Sequence, residues 1–298
     1  MTDWQDFRPR LVATDIDGTI LPHGGTVSAR TTAALERSAA AGLDVVLVTG
    51  RPPRWLPPVL EATGLTGPVI SANGAVVVDA PSLELIEVWP IAPEVARATV
   101  ERLLLAVPDA VFAAETPDGL RVGPGYGRVR ESGRREGLAP DTSGVTVVDT
   151  VEEMLDVAPI IKIVAVSPGS TPDALLRTGR EQVGDLVSVT MSSIGRAMLE
   201  LGPPGVTKAS TLAWFAESRG TTTAEAVAFG DMPNDSAMLQ AVGRGYAMDG
   251  GHAEAVAAAD AVAPPAHEDG VAQVLEAMLA ARPPALAEAA PAATTLDR

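Results

Sequence analysis

The chain has 298 residues, no cysteine and a formal net charge of −16. The lack of cysteine excludes a disulfide framework, a thiolate nucleophile and a Cys-ligated zinc site, and the acidic balance argues against nucleic acid or an anionic membrane surface as the main partner. No apolar run reaches the ~18 residues of a membrane span, and residues 1–10 contain no signal-peptide segment, so we expect a cytoplasmic protein without membrane partners.

Strands and helices alternate in the first part of the chain. Apolar runs predict strands at residues 11–14, 44–48 and 68–71, with helices between them at residues 29–41 and 55–63. Asn73-Gly74 is a hairpin-turn signal that precedes a further strand at residues 75–78. This alternation predicts a parallel sheet covered by helices.

The pattern changes near residue 81 and returns after the Gly-Pro-rich segment 202–205. Between them, short strands are predicted at residues 110–114, 120–122, 145–148, 160–166, 186–191 and 197–201, and helices at residues 92–106 and 172–183. We therefore predict an inserted α+β domain at residues 85–197, and one discontinuous α/β domain from residues 1–84 and 198–282. Residues 283–298 contain mostly Ala, Pro and Thr, which predicts a disordered tail.

Two carboxylates follow the first strand, in Asp15-Ile16-Asp17-Gly18-Thr19. Residues two apart at a strand end can aim at the same point, and carboxylates that close repel each other unless a proton or a cation lies between them. The spacing indicates a metal site, an acid–base pair or both, although Asp and Gly are also ordinary turn residues. A calcium loop is excluded because Ile20 and Thr26 stand where that loop needs Gly and Glu.

Polar residues also follow the strands predicted at residues 44–48 and 226–229. They are Thr49-Gly50-Arg51 and Gly230-Asp231-Met232-Pro233-Asn234-Asp235. The carboxyl ends of parallel strands share one edge of a sheet, so these groups are expected near Asp15 and Asp17. The first segment alone favours an ordinary loop, whereas the second carries more polar groups than helix capping requires. Lys208 stands at the start of a helix predicted at residues 207–219. The helix dipole disfavours a lysine there, and a nearby anion would explain its position.

Together these segments resemble the four motifs of the haloacid dehalogenase superfamily of phosphotransferases. In order they are Asp15-Ile16-Asp17-Gly18-Thr19, Thr49-Gly50-Arg51, Lys208 in Gly205-Val206-Thr207-Lys208, and the segment from Gly230 to Asp235. The insertion between the second and third motifs is similar to the cap of the Cof-type (class IIB) sugar-phosphatase branch. The resemblance implies a Rossmann-like parallel sheet with helices on both faces and an α+β cap domain.

The resemblance also implies a role for each motif residue. Asp15 would attack phosphorus as the nucleophile, and Asp17 would act as general acid and then general base. Mg²⁺ is the implied cofactor, with Asp15, Asp231 and the main-chain carbonyl of Asp17 as ligands. Lys208 would neutralise Asp15 and a phosphoryl oxygen, and Asp235 would orient Lys208 or a magnesium-bound water. The remaining phosphoryl contacts would come from the amides of Ile16 and Gly50 and from the side chains of Thr49 and Asn234.

The expected function is magnesium-dependent hydrolysis of a small phosphorylated metabolite, most plausibly a sugar phosphate, through an aspartyl-phosphate. A phosphomutase or an osmolyte-sugar phosphatase of the same branch is the alternative enzyme, and a non-catalytic binding module is the alternative class. Asn73 is expected either to contact substrate or only to form the turn. Five arginines of the insertion form a cluster that we interpret as a solvated face rather than a second anion site: Arg121, Arg128, Arg130, Arg134 and Arg135. The sequence predicts neither the substrate nor the oligomeric state.

Overall fold

The computed structural model describes residues 4, 7–128, 144–193 and 195–281. Within these ranges, eight strands form the larger of two sheets. They are β1 (Leu11–Thr14), β2 (Asp44–Val48), β3 (Gly67–Ser71), β4 (Val76–Ala80), β5 (Leu85–Val88), β12 (Ala226–Gly230), β13 (Arg244–Met248) and β14 (Ala261–Ala263). Their spatial order is β14-β13-β12-β1-β2-β3-β4-β5. The pairs from β14 to β3 are parallel, and β4 and β5 add two antiparallel strands at one edge.

Helices pack on both faces of this larger sheet. They are α1 (Ala29–Ala40), α2 (Pro57–Thr63), α6 (Lys208–Ser218), α7 (Ser236–Ala241), α8 (Ala253–Ala258) and α9 (Gly270–Ala280). Successive residues of a strand point to opposite faces, so Val12 packs in one buried cluster with α1 and α9, whereas Leu11 and Ala13 pack in another with α6 and α7. The predicted α/β fold with helices on both faces is confirmed. We call this sheet and its helices the core layer.

The smaller sheet has six strands within the described ranges. They are β6 (Val111–Glu115), β7 (Leu120–Val122), β8 (Val145–Val147), β9 (Lys162–Val166), β10 (Ser188–Thr190) and β11 (Met198–Gly202), in the order β10-β11-β9-β6-β7-β8. Its helices are α3 (Pro93–Ala106), α4 (Val151–Leu155) and α5 (Pro172–Val183). We call this sheet and its helices the cap layer.

One face of the cap sheet packs on the helices, and the other carries charged residues. Phe112, Ile163 and Leu199 lie in the buried cluster that contains the α3 and α5 side chains. Because strand residues alternate between faces, Lys162 and Glu200 stand on the opposite face from these neighbours. They contact the core layer, as described below.

The boundaries predicted for the inserted domain, residues 85–197, differ from the extent of the cap sheet by one strand at each end. β5 pairs with β4 in the core sheet, and β11 pairs with β9 in the cap sheet. β5 is an edge strand with exposed and half-exposed residues, so its sequence lacks the apolar run of a buried strand. The division into two domains stays a prediction, as does the tail at residues 283–298, which lies outside the described residues.

No helix in the described ranges is both long and apolar enough to cross a bilayer.

Candidate active site

The site lies at the carboxyl ends of β1, β2 and β12. In the core sheet β1 lies between the other two, with β2 on one side and β12 on the other, and ligands bind at such a reversal of strand order. The amide of Asp15 continues the parallel ladder by donating to the Phe229 carbonyl at 2.9 Å. Gly18 then turns the chain with φ +81°, and a Cβ at this position would collide with the Asp231 carboxylate. Glycine is therefore required both by the backbone conformation and by the close approach of the two loops.

Lys208 is a fully buried lysine at the first position of α6. Its Nζ donates to Asp15 Oδ1 at 2.5 Å and to Asp235 Oδ1 at 2.7 Å. The second Asp235 oxygen, Oδ2, accepts the amides of Asp231 and Met232, both at 3.0 Å. Asp235 thus holds Lys208 with one oxygen and shapes the Asp231 loop with the other.

Three buried carboxylates surround this lysine, and the cluster carries more negative than positive charge. Among the described residues, Asp15, Asp231 and Asp235 each place an oxygen within 4.8 Å of the others. Burial raises the pKa of Asp15 to about 7, with Asp235 and Asp17 adding to the shift and Lys208 opposing it. Burial, Asp15 and Asp235 raise the pKa of Asp231 to about 9. The protein alone therefore favours the protonated forms of Asp15 and Asp231 near neutral pH.

The ammonium of Lys208 stays charged in this setting. Burial lowers its pKa, but the charges of Asp15 and Asp235 outweigh burial and raise it above the ordinary value. Thr19 adds a weak contact on the other side, because its Oγ1 lies 3.5 Å from both Asp15 Oδ2 and Asp231 Oδ1. These two oxygens face a common point and can hold a cation, whereas both Asp235 oxygens already have partners.

Asp17 lies outside this cluster and is held by Arg51. The guanidinium donates from Nε to Asp17 Oδ2 at 2.7 Å and from Nη2 to Oδ1 at 2.6 Å. The hydrogen bond to Asp17 is the main cause of the raised pKa of Arg51. Arg51 lies in the second motif, but no role was predicted for it from the sequence. Its bidentate pairing orients the Asp17 carboxylate, which keeps 46% of its side chain exposed.

The predicted phosphate-binding residues gather around Gly50. Thr49 is buried and its Oγ1 accepts the Arg51 amide at 3.1 Å. A Cβ at Gly50 would lie only 3.0 Å from Asn73 Oδ1 and 3.4 Å from Asn234 Nδ2, so glycine permits the close packing of these loops. Ile16 packs its side chain in the core cluster, and its amide follows Asp15 at the strand end.

Asn73 forms the predicted turn and is also part of a buried hydrogen-bond chain. Its backbone is left-handed, with φ 58°. Its Nδ2 donates to Glu200 Oε2 at 2.9 Å, and its Oδ1 accepts from Asn234 Nδ2 at 3.0 Å. Both ends of the Asn73 amide are thus engaged by protein, and the predicted substrate contact remains a prediction.

The cap layer contributes a second buried lysine that the sequence analysis missed. Lys162 Nζ donates to Glu200 Oε1 at 2.6 Å and to the carbonyl of Gly50 at 2.8 Å. Burial would raise the pKa of Glu200, but the Lys162 charge, together with hydrogen bonds from Lys162, Asn73 and Ser192, lowers it. One signal was available, since Lys162 and Lys208 are the only lysines in the sequence.

A second charged contact between the layers joins Arg54 of the core, which is half-buried, to the buried Glu115 of the cap. Arg121 belongs to the arginine cluster predicted in the insertion. Arg121 donates to the carbonyls of Glu153 and Asp156 at 2.8 and 2.9 Å, which closes the end of α4. Arg130, Arg134 and Arg135 lie outside the described residues, so the interpretation of that cluster stays a prediction.

Residues 12–275 match the model of the haloacid dehalogenase-like hydrolases. The chain belongs to this family. Among curated proteins it is similar to the pyridoxal phosphate phosphatase YbhA of Escherichia coli, 27% identical over 247 residues that cover 80% of this chain and 87% of that protein. It is also similar to the phosphatase YwpJ of Bacillus subtilis, 27% identical over 293 residues that cover 91% of this chain and 100% of that protein.

Two solved structures share the fold of this chain. The HAD subclass IIB sugar phosphatase BT4131 covers 92% of this chain and 100% of its own, with a TM-score of 0.76 and 21% identity. The phosphatase BT1666 of Bacteroides thetaiotaomicron covers 93% of this chain and 98% of its own, with a TM-score of 0.75 and 24% identity. The predicted family and fold are confirmed.

Proposed function

We propose that this protein is a magnesium-dependent phosphomonoesterase that acts on a small phosphorylated metabolite, with a sugar phosphate as the expected substrate. The phosphatase class is supported by the family and by relatives whose names state that activity, including the pyridoxal phosphate phosphatase and the HMP-PP phosphatase of Cronobacter sakazakii. The observation that carries the proposal is the buried Asp15, which is held by Lys208 beside an excess of carboxylates.

Asp15 is placed to act as the nucleophile. Lys208 binds Oδ1, which orients the carboxylate for attack on phosphorus. The bond from phosphorus to the leaving oxygen breaks as the new bond to Asp15 forms, and the product is an aspartyl-phosphate. Water then attacks the same phosphorus, which releases inorganic phosphate and restores Asp15.

Asp17 is proposed to give a proton to the leaving alkoxide and then to take one from the attacking water. In the structure both Asp17 oxygens are hydrogen-bonded to Arg51. One of these bonds therefore has to break before Asp17 can carry the proton that it gives to the leaving oxygen. Such proton transfer typically contributes a factor of about 10²–10⁴ to the rate.

The residues present fit a bound Mg²⁺. Asp15 and Asp231 offer hard carboxylate oxygens in a buried cluster whose charge one lysine does not balance, and the main-chain carbonyl of Asp17 is the third proposed ligand. When bound, the cation would screen the anionic nucleophile from the anionic substrate and stabilise charge on a phosphoryl oxygen. Asp235 is not proposed as a ligand, because Lys208 and two amides already occupy its oxygens.

The remaining donors would hold the phosphoryl oxygens where charge accumulates. We assign this role to Lys208, the Thr49 hydroxyl, the amides of Ile16 and Gly50, and the Asn234 amide. Positioned donors of this kind are the main catalytic device in phosphoryl transfer. All four motifs keep their charged residues, which argues against a non-catalytic module. Hydrolysis of a hexose 1-phosphate to free phosphate, rather than to a positional isomer, would separate a phosphatase from a phosphomutase.

The test is hydrolysis of p-nitrophenyl phosphate by the purified protein with Mg²⁺ or with EDTA. We expect activity only with the metal, and a loss of at least about 10³-fold in Asp15→Asn, since the nucleophile is removed. Asp118→Asn, in an exposed turn of the cap layer, is the matched control and should keep wild-type activity. Activity that survives in Asp15→Asn would contradict the assignment.

A further inference from the structure

Four buried side chains form a continuous row of hydrogen bonds from the cap layer to the candidate active site. Lys162, at the start of β9, donates from Nζ to Glu200 Oε1 at 2.6 Å. Glu200 Oε2 accepts from Asn73 Nδ2 at 2.9 Å, and Asn73 Oδ1 accepts from Asn234 Nδ2 at 3.0 Å. All four residues are more than nine-tenths buried. We call Lys162, Glu200, Asn73 and Asn234 the relay.

The chemistry of the cap end fixes the direction of every hydrogen bond in the relay. A lysine ammonium can only donate, and an ionised carboxylate can only accept. Burial opposes ionisation of Glu200, but the Lys162 charge and three side-chain hydrogen bonds hold its pKa below the ordinary value. Asn73 therefore has to present its Nδ2 to Glu200, which leaves its Oδ1 for the next residue. Asn234 in turn has to present its own Nδ2 to Asn73.

The relay is also what holds the Asn234 amide. At the other end of this amide, Oδ1 is buried and has no hydrogen-bond partner among the described residues, so it sets no orientation. Nδ2 lies beside Gly50, since a Cβ at Gly50 would be 3.4 Å from it. An amide nitrogen carries two hydrogens, and Asn73 uses one of them. A flip of Asn234 would place an oxygen beside Gly50 instead, and that oxygen would repel a phosphoryl oxygen.

We propose that Glu200 is a positioning residue for the candidate active site. Through Asn73 it selects the orientation of the Asn234 amide that directs an N–H donor, rather than an acceptor, toward the phosphoryl group. The part of this proposal that concerns the phosphoryl group rests on the proposed function, whereas the amide orientation does not. Glu200 belongs to the cap layer, so the contact between the layers also sets a donor of the candidate active site.

The test exchanges a carboxylate and an amide within the relay. In Glu200→Gln the new amide keeps its oxygen toward Lys162 and turns its nitrogen toward Asn73, so Asn73 and then Asn234 have to flip. In Glu200→Gln/Asn73→Asp the carboxylate moves to position 73, where it accepts from both neighbours and returns Asn234 to its original orientation. Aspartate, like asparagine, tolerates the left-handed backbone at this position, with φ 58°. The exchange also keeps the net charge of the relay.

Nuclear Overhauser effects (NOEs) in the ¹⁵N-labelled full chain report the amide orientation without substrate or metal. We expect NOEs between the Asn234 side-chain amide protons and the Gly50 α protons in the wild type and in the exchange variant. They should be lost in Glu200→Gln. Asn73→Gly leaves the Lys162–Glu200 pair intact, suits the positive φ, and should lose them too, which covers a Glu200→Gln protein that does not fold. Glu276→Gln, in an ion pair with Arg30 away from the relay, is the control and should keep them.

Inhibition by inorganic phosphate measures the consequence for the site. The Ki of phosphate against p-nitrophenyl phosphate should rise at least about tenfold in Glu200→Gln, because a donor to a charged group is replaced by an acceptor. It should return to within about threefold of the wild type in the exchange variant.

The proposal is overturned if the NOEs persist in Glu200→Gln or Asn73→Gly, or if the exchange variant does not restore them. A Ki that stays unchanged in a Glu200→Gln protein with flipped amides would overturn it as well. A wild type that does not hydrolyse p-nitrophenyl phosphate would instead contradict the proposed function, and the NOEs would still decide the amide orientation.

Discussion

The two lysines of the chain occupy two different electrostatic settings within the same interior. Lys162 of the cap layer faces one carboxylate, Glu200, and the Gly50 carbonyl, and the pKa of Glu200 is lowered. Lys208 of the core layer faces Asp15 and Asp235 with Asp231 beside them, and the pKa of Asp15 is raised to about 7. The first setting is balanced, whereas the second has an excess of negative charge.

The difference shows that burial of charge does not by itself mark the reaction centre. A balanced buried pair such as Lys162–Glu200 often contributes little net stability and can serve to fix one arrangement of two layers. The cluster around Lys208 is the one that calls for a further positive charge. We therefore expect the core lysine to act in catalysis and the cap lysine to act in positioning.

Removing the core lysine should have the largest effect. Lys208→Met leaves Asp15 and Asp235 buried without their counter-ion and removes a donor to the phosphoryl group. We expect kcat for p-nitrophenyl phosphate to fall by about 10³-fold, at the upper end for one such donor. A kcat within threefold of the wild type, in a variant that circular dichroism shows to be folded, would contradict this role.

Removing the cap lysine should affect stability and substrate affinity more than chemistry. Lys162→Met leaves Glu200 buried and unpaired, so the free energy of unfolding should fall by about 3–5 kcal/mol. The expected kinetic change is about a tenfold loss in kcat/KM that is carried mainly by KM. The double variant Lys162→Met/Glu200→Gln should recover much of the stability in urea denaturation, because no unpaired charge remains. An equal loss in the single and double variants would refute the balanced-pair interpretation.

Arg51 offers a smaller and more selective test. In Arg51→Met the Asp17 carboxylate loses its bidentate partner, so its orientation toward the leaving group is weakened. We expect about a tenfold loss in kcat for an alkyl phosphate and a smaller loss for p-nitrophenyl phosphate, whose leaving group needs little protonation. Steady-state kinetics with both substrates measures the difference. Equal losses would mean that Arg51 acts on the phosphoryl group instead of on Asp17.

The smallest expected effect is a pH dependence of metal-free stability. Asp15 and Asp231 titrate near pH 7 and 9 in the fold, against an ordinary pKa of 3.8. Between pH 3.8 and these raised values, the metal-free folded protein binds more protons than the unfolded chain. Its free energy of unfolding therefore falls as pH rises through 7 and 9. Mg²⁺ replaces those protons, so it should raise the Tm by several degrees at pH 8 and by less at pH 6. Calorimetry in EDTA and in Mg²⁺ measures both trends, and a larger metal effect at pH 6 would oppose this account.

The core layer and its motifs were predictable from the sequence because each motif is a short segment that directly follows a strand or starts a helix. Ser28 and Thr171, for example, cap helices where the sequence predicts them. The short elements β5, β14 and α4 were missed, since three to five residues carry little periodicity.

The contacts between the layers were not predictable in the same way. Lys162 pairs in register with Glu115 across β9 and β6, and reaches Glu200 on β11 and the Gly50 carbonyl in the core layer. Glu115 and Glu200 lie far from Lys162 in the chain, and the strand order of the cap sheet brings them beside it. The Gly50 carbonyl reaches Lys162 because the two layers pack together. The pairing of Asp17 with Arg51 likewise depends on the alignment of β1 beside β2.

If the unbalanced cluster makes Asp15 a nucleophile, the protein must carry a phosphoryl group on Asp15 during turnover, and trapping the phosphorylated protein tests this most directly. The purified protein is mixed with Mg²⁺ and ³²P-labelled p-nitrophenyl phosphate, whose leaving group needs little protonation, then quenched in acid within milliseconds and mapped by mass spectrometry. We predict a phosphoryl group on Asp15 that accumulates further in Asp17→Asn, because water is then poorly activated, and that is lost with EDTA. A label on another residue, or hydrolysis with no label on the protein in either variant, would contradict the claim.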